Sequence, residues 1–115
     1  MLFRSERAAA ALLTGTGERP TGVVGGNDLI ALGALRAIRA AGLRCPEDIS
    51  LTGFNDMPFL DELRPALTSV HVPTHELGIE AARLLLEQIE GAPAVAKTIS
   101  LPLRLVVRDS TAPPS

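Results

Sequence analysis

Apolar and polar positions change period several times along this chain, and the changes divide it into elements. Ala8 to Leu13 carries a helical pattern that stops in "TGTGERPTG", where Gly and Pro break it. Thr21 to Gly25 is a short apolar run and reads as a strand. A helix then runs to about Ala41, with Ala31, Leu35 and Ile38 on one face and Arg36 and Arg39 off it. Gly42 stands where a left-handed residue ends a helix. "RCPEDIS" turns into a second strand, Ile49 to Gly53, and the irregular "MPFLDELRP" leads to a third, Leu67 to Val72. Thr74 is placed to cap a helix to about Glu90, with Leu77, Ala81, Leu84 and either Leu85 or Gln88 on one face, stopped by Gly91 and Pro93. Two extended pieces, Thr98 to Leu101 and Leu103 to Val107, flank Pro102, and "STAPPS" reads as flexible coil. This order predicts an α/β fold: a Rossmann-like, mainly parallel sheet with flanking helices. Its first strand, first crossover helix and second strand form a right-handed βαβ unit.

Two strand ends nearly repeat each other. "VVGGND" (Val23 to Asp28) and "LTGFND" (Leu51 to Asp56) each close an apolar run with Gly, one residue, then Asn-Asp. In open parallel sheets ligands bind outside the carboxyl ends of the strands. Neighbouring strands would bring both pairs to one rim, offering amide donors, amide acceptors and carboxylates to the hydroxyls or ring nitrogens of a small polar ligand. The glycines are expected to let the backbone turn sharply. Helix capping is the competing explanation, because Asn27 or Asp28 can accept a free amide of the first helical turn whatever the protein does. After Asn55-Asp56 the residues Met57-Pro58 open no obvious helix, so capping explains the second pair less well. Both roles can coexist, one residue capping while its neighbour faces the ligand.

Composition narrows the function. A chain of 115 residues supports one domain with a single core, and 46% hydrophobic with 21% charged residues is a globular balance. A formal charge of −2 gives no electrostatic footprint for nucleic acid. No apolar run is long enough to span a bilayer, and the start has no signal-peptide pattern. Cys45, the only cysteine, excludes an internal disulfide and a cysteine-based zinc site and points to a reducing setting. Arginine greatly outnumbers lysine, a bias that GC-rich bacterial genomes produce. "LFRS" (Leu2 to Ser5) is also the translation of a common sequencing-adapter end, so the first residues are expected to be an assembly scar on part of a longer gene.

Enzyme chemistry finds no foothold. His71 and His75 are four apart, but Pro73 and a strand-to-helix change separate them, and no HExxH occurs. Ser69 has no evident base and orienter, and "GVVGGND" lacks the G-x-G-x-x-G of a dinucleotide site. The expectation is a non-enzyme without metal or cofactor.

From about Pro20 onward, N-D-x-x-A-L-G, P-E-D-I-S, G-F-x-D, L-T-S-V and the L-V-V-R-x-S-T ending recur in an order that resembles the C-terminal part of LacI/GalR-type bacterial transcriptional regulators. The resemblance implies a type I periplasmic-binding-protein-like fold, mostly its C-terminal subdomain. It implies a small effector, commonly a sugar and sometimes a purine or nucleoside, held in a cleft between two α/β subdomains. Asn27 and Asn55 match effector-contacting positions, with Asp28 beside the first, Phe54 at an aromatic position by the pocket and Val72 at the rim. Asn55 departs from the usual Asp, exchanging a charged acceptor of two hydroxyls for one acceptor and one donor. Dimer contacts are expected from Leu32, Arg36, Phe59, Leu60 and Leu63, the last three also able to close the local core. The resemblance divides the chain into a residual helix and loop (1–19), a core (20–72), a hinge crossing with a helix and strand that pack on a second subdomain (73–102), and a returning strand and tail (103–115). Without that subdomain the Leu77, Leu84 and Leu85 face lacks its partner, and the chain is expected to be less stable than a whole sensor domain. Operator DNA is then bound only through an N-terminal helix-turn-helix outside these residues, in a cytoplasmic homodimer. A periplasmic sugar-binding protein of an ABC transporter shares the fold and is the alternative.

Overall fold

The computed structural model describes residues 1–114. Its elements are α1 (Leu2–Thr14), β1 (Gly22–Val24), α2 (Asp28–Ala40), β2 (Ser50–Asn55), β3 (Thr68–His71), α3 (Thr74–Ile89) and β4 (Arg104–Val106). The sheet has the order β1-β2-β3-β4. The first three strands are parallel, with Val24 opposite Thr52 and Gly53 opposite Ser69. β4 returns antiparallel to β3, pairing His71 with Arg104. β1, α2 and β2 form the expected βαβ unit, and the α/β class holds as a mixed rather than purely parallel sheet.

The core lies on one face of the sheet. Ala31, Ala34 and Leu35 of α2 meet Leu51 of β2, with Leu60 and Leu67 beneath. α1 covers the outer side of α2 at a close crossing, where a Cβ on Gly33 would overlap Ser5 and come within 2.8 Å of the Leu2 carbonyl oxygen. Residues 2–5 belong to this packed helix. The expectation that Leu60 forms part of a dimer surface is corrected: it is fully buried in the core, and Phe59 and Leu63 pack against the same cluster. "MPFLDEL" therefore closes the bottom of the core.

The opposite sheet face carries Val24, Phe54 and Leu105, all exposed. Parallel sheets are normally covered on both faces; among the described residues no helix covers this one, and it is buried only at Thr68, where the Arg108 amide donates to the Thr68 hydroxyl. α3 has no buried residue, and Leu77, Ile79, Leu85, Leu86 and Ile89 are exposed along it. It stands away from the sheet in a molecule measuring 60 × 25 × 21 Å.

Three expectations are corrected at the ends of elements. Thr74 is the first residue of α3 and not its cap; Pro73 precedes it and no side chain caps the helix. Residues 98–101 form no strand, being mostly exposed and without a ladder partner among the described residues. The tail is not free coil as far as Ala112. Ser110 is fully buried, and its hydroxyl donates to the Leu51 carbonyl (2.6 Å) while accepting from the Thr68 amide (2.8 Å). Its own carbonyl takes the Leu51 amide at 2.8 Å, and Ser50 Oγ bonds both the amide and the carbonyl of Ala112 at 3.0 Å. The tail thus laces β2 to β3. Ser110→Ala leaves a buried donor and a buried acceptor unsatisfied, and about 2–4 kcal/mol of stability is expected to be lost. Urea unfolding measures this; a loss under about 0.5 kcal/mol would contradict it.

Candidate functional site

The Gly-x-Asn-Asp tips end adjacent strands, as Gly25 N donating to the Thr52 carbonyl at 2.8 Å makes plain. Neither glycine has the positive φ of a sharp turn, which corrects the sequence-based explanation. They provide close approach instead. A Cβ on Gly25 would sit 2.9 Å from the Ala31 Cβ, in the first turns of α2. A Cβ on Gly53 would overlap the Asp28 carboxyl. The glycine of the second repeat makes room for the aspartate of the first.

Asp28 is consequently beneath the rim and not on it. It is fully buried, with Oδ1 accepting from Ser69 Oγ (2.7 Å) and Oδ2 from the Met57 amide (2.8 Å). Its assignment as an effector contact is corrected: both oxygens are used inside the protein, joining α2 to β3 and to the loop after β2. Asn27 caps α2, its Oδ1 accepting from the Ile30 amide at 2.9 Å, so the capping explanation holds for the first pair. Its Nδ2 lies 3.5 Å from Met1 Sδ. Beside it opens a cavity of about 550 Å³ lined by Met1, Arg4, Ser5, Ala8 and Ile30.

The second tip is built differently. Asn55 and Asp56 have φ of 112° and 58°, in the left-handed region that costs a non-glycine residue roughly 1–3 kcal/mol. Asn55 is exposed. The Asp56 amide donates to Ser69 Oγ (3.1 Å), which links this tip to Asp28. Asp56 Oδ1 accepts from Arg108 Nη2 (2.7 Å) and Oδ2 lies 2.9 Å from His71 Nδ1. Arg108 is held in turn by its Nη1 bond to the Leu67 carbonyl (2.8 Å) and its amide bond to Thr68 Oγ1 (2.9 Å). Burial pushes the Asp56 carboxyl up, but the Arg108 guanidinium and the His71 ring outweigh it and hold the group below the usual carboxylate range. Because the folded value is depressed, the stability it contributes is present above the unfolded carboxylate value of about 3.9 and is lost as pH falls through the folded value. Unfolding free energy is therefore expected to drop below about pH 4, and Asp56→Asn to flatten that part of the profile. Parallel acid limbs for the two proteins in urea titrations would contradict this assignment.

Phe54 lies on the uncovered sheet face with Val70, opposite the face that Gly53 turns to Asp28. Val72 is half-buried just after β3, its carbonyl accepting from the Thr74 amide at 2.8 Å. Leu32 is half-buried, and Arg36 is engaged within the chain, 3.3 Å from Glu6 and over the Phe3 ring. Sequence reasoning missed Ser69, His71 and Arg108 as partners of the tips. No local pattern marks them, since their bonds to Asp28 and Asp56 span 15 to 52 residues.

Residues 2–111 match the family of periplasmic binding protein-like domains. The MalR transcriptional regulator of Streptomyces coelicolor is 44% identical over 107 residues, 93% of this chain and 30% of its own length. The lactose operon repressor of Rhizobium radiobacter is 38% identical, and the match covers 84% of this chain and 85% of that protein. The chain belongs to the LacI family. A LacI-family regulator from Enterococcus faecium, solved with bound ribose, superposes with a TM-score of 0.87 at 33% identity, over 99% of this chain and 41% of that one. The LacI-family chain thus has the expected periplasmic-binding-protein-like fold. Its relatives are transcriptional regulators and not enzymes, and the transporter alternative is not favoured. It spans about a third of the Streptomyces protein. Among the described residues no helix is long and apolar enough to cross a membrane.

Proposed function

We propose that this chain supplies one wall of the effector cleft of a LacI-type transcriptional regulator, and that the effector is a sugar or a related polar molecule. The observation that carries the reading is the second tip. Asn55 stands exposed at the end of β2, in a left-handed conformation, next to the tip of β1 that bears Asn27. With its Oδ1 committed to the cap, Asn27 offers Nδ2 to a ligand, whereas Asn55 offers a donor and an acceptor. The ribose in the Enterococcus regulator supports a polyhydroxyl ligand. Phe54 and Val72 contribute apolar edges to the same reading. Leu32, Arg36, Phe59 and Leu63 are the candidates for contact with a second copy in the whole protein. Operator contact is assigned to residues other than these, the net charge of −2 offering no basic face. A cytoplasmic setting and a non-catalytic role follow from the regulator reading.

The test is a titration of the 115-residue chain, ¹⁵N-labelled, with ribose, lactose, sucrose and cellobiose as probes. Saturable shifts of the Asn27 and Asn55 side-chain amides with at least one sugar are expected. Asn55→Ala should weaken that binding by about 1–3 kcal/mol for a lost buried bond. Shifts confined to other residues, or an unchanged affinity in Asn55→Ala, would take these amides out of the site.

A further inference from the structure

We propose that Asp56 is a positioning residue: through His71 and Arg108 it holds Asn55 in its ligand-facing conformation and ties that tip to both ends of the segment carrying α3. The inference deepens the reading of Asn55 as an effector contact and rests on it. Two consecutive non-glycine residues at positive φ persist only where their surroundings over-determine them. The Asn55 side chain makes no hydrogen bond among the described residues, so it does not hold itself. Its neighbour does. Asp56 is anchored at its amide by Ser69 and at its carboxylate by two counter-groups, and the following amide, Met57, is anchored by Asp28.

The counter-groups come from a particular place. His71 is the last residue of β3 and pairs with Arg104, the first of β4. Residues 72–103, with α3, leave the sheet at one and return at the other. Arg108 follows β4 by two residues and is fastened to Leu67 and Thr68 at the start of β3. Asp56 therefore bonds to groups on the outgoing and on the returning chain. α3 packs on no element of the sheet, so these two strands and the Asp56 cluster form the link between segment and rim. A displacement of the segment reaches the tip through the pairing of Asn55 with His71 and through the Asp56 carboxylate, 12% of whose side chain is exposed.

Backbone ¹⁵N relaxation on the 115-residue chain tests this without any sugar, so it stands or fails apart from the titration above. Asp56→Gly removes the carboxylate while keeping a residue at ease at φ 58°. Asp56→Asn keeps the shape, the tolerance of that φ and one acceptor. In Asp56→Gly the order parameters of residues 54–57 are expected to fall from about 0.85 to below about 0.6, with those of α1 and α2 unchanged. Asp56→Asn is expected to restore most of the order and to return the Asn55 shifts toward those of the parent. Should Asp56→Gly fail to fold, Arg108→Gln is read in its place for the same tip-confined loss, with Asp56→Asn still expected to keep most of the order. Tip order and Asn55 shifts unchanged from the parent, even with a lower melting temperature, would overturn the proposal and leave the cluster a purely structural fastening.

Discussion

Gly53→Ala is expected to remove about 3–5 kcal/mol of stability, combining overpacking with broken buried hydrogen bonds. The position looks mild: a glycine within a strand, with no positive φ, where alanine should if anything help the backbone. The obstacle is across the sheet. The new methyl would overlap the Asp28 carboxyl, lie 3.1 Å from Leu67 Cδ2 and 3.3 Å from the Asp28 Cα. Asp28 cannot swing away, since it is fully buried and fixed by Ser69 and Met57. Either the helix start shifts or both bonds break. Gly22→Ala is the matched control in the same sheet, its nearest prospective neighbour being the Ser50 carbonyl oxygen at 4.0 Å. Calorimetry should show a melting temperature lowered by about 10 °C or more for Gly53→Ala and changed by only a few degrees for Gly22→Ala. Equal effects would mean that strand propensity, and not the Asp28 contact, governs the position.

How much of this was legible beforehand depends on the distance over which each feature is determined. α2 was readable because its cap, its apolar face and its left-handed exit at Gly42 are local; Gly42 has φ 71°, as the pattern requires. The adjacency of β1 and β2 followed from the crossover rule. What could not be read was the use of the Asn-Asp pairs. Asp28 and Asn27 share a dipeptide, yet one is a buried joint and the other a cap with a half-exposed amide. Only the position of β3, which puts Ser69 opposite Gly53, separates the two roles. The same limit applies to Ser110, whose "STAPPS" context reads as flexible coil and whose partners lie 42 and 59 residues away. Leu60 shows the converse. The resemblance implied a surface for a partner while the residues left a core role open, and the loop folds under the sheet so that the chain itself buries it. The family resemblance gave the fold and pointed to the strand tips; it did not distinguish a side chain on the rim from one that supports it.

Asp28→Ala is expected to cost about 3–5 kcal/mol, because Ser69 Oγ and the Met57 amide both lose their acceptor. It should also be the more informative substitution. Asp28→Asn retains the volume and one acceptor, but its amide would face one of the two donors, so about half of the loss is expected. If Asp28 were an effector contact, either change would weaken ligand binding and leave folding nearly intact. A support beneath the rim predicts the reverse order: stability falls first, and the Asn55 tip loosens because its Ser69 and Met57 fastenings go with it. The double variant settles the mechanism. Once Asp28 is alanine, the methyl of Gly53→Ala no longer meets a carboxyl, and the second substitution should cost much less than it does alone. The coupling between the two sites is expected at about 1–3 kcal/mol by chemical denaturation. Strict additivity would show that Gly53 and Asp28 act independently, and the interlock of the two repeats would have to be abandoned.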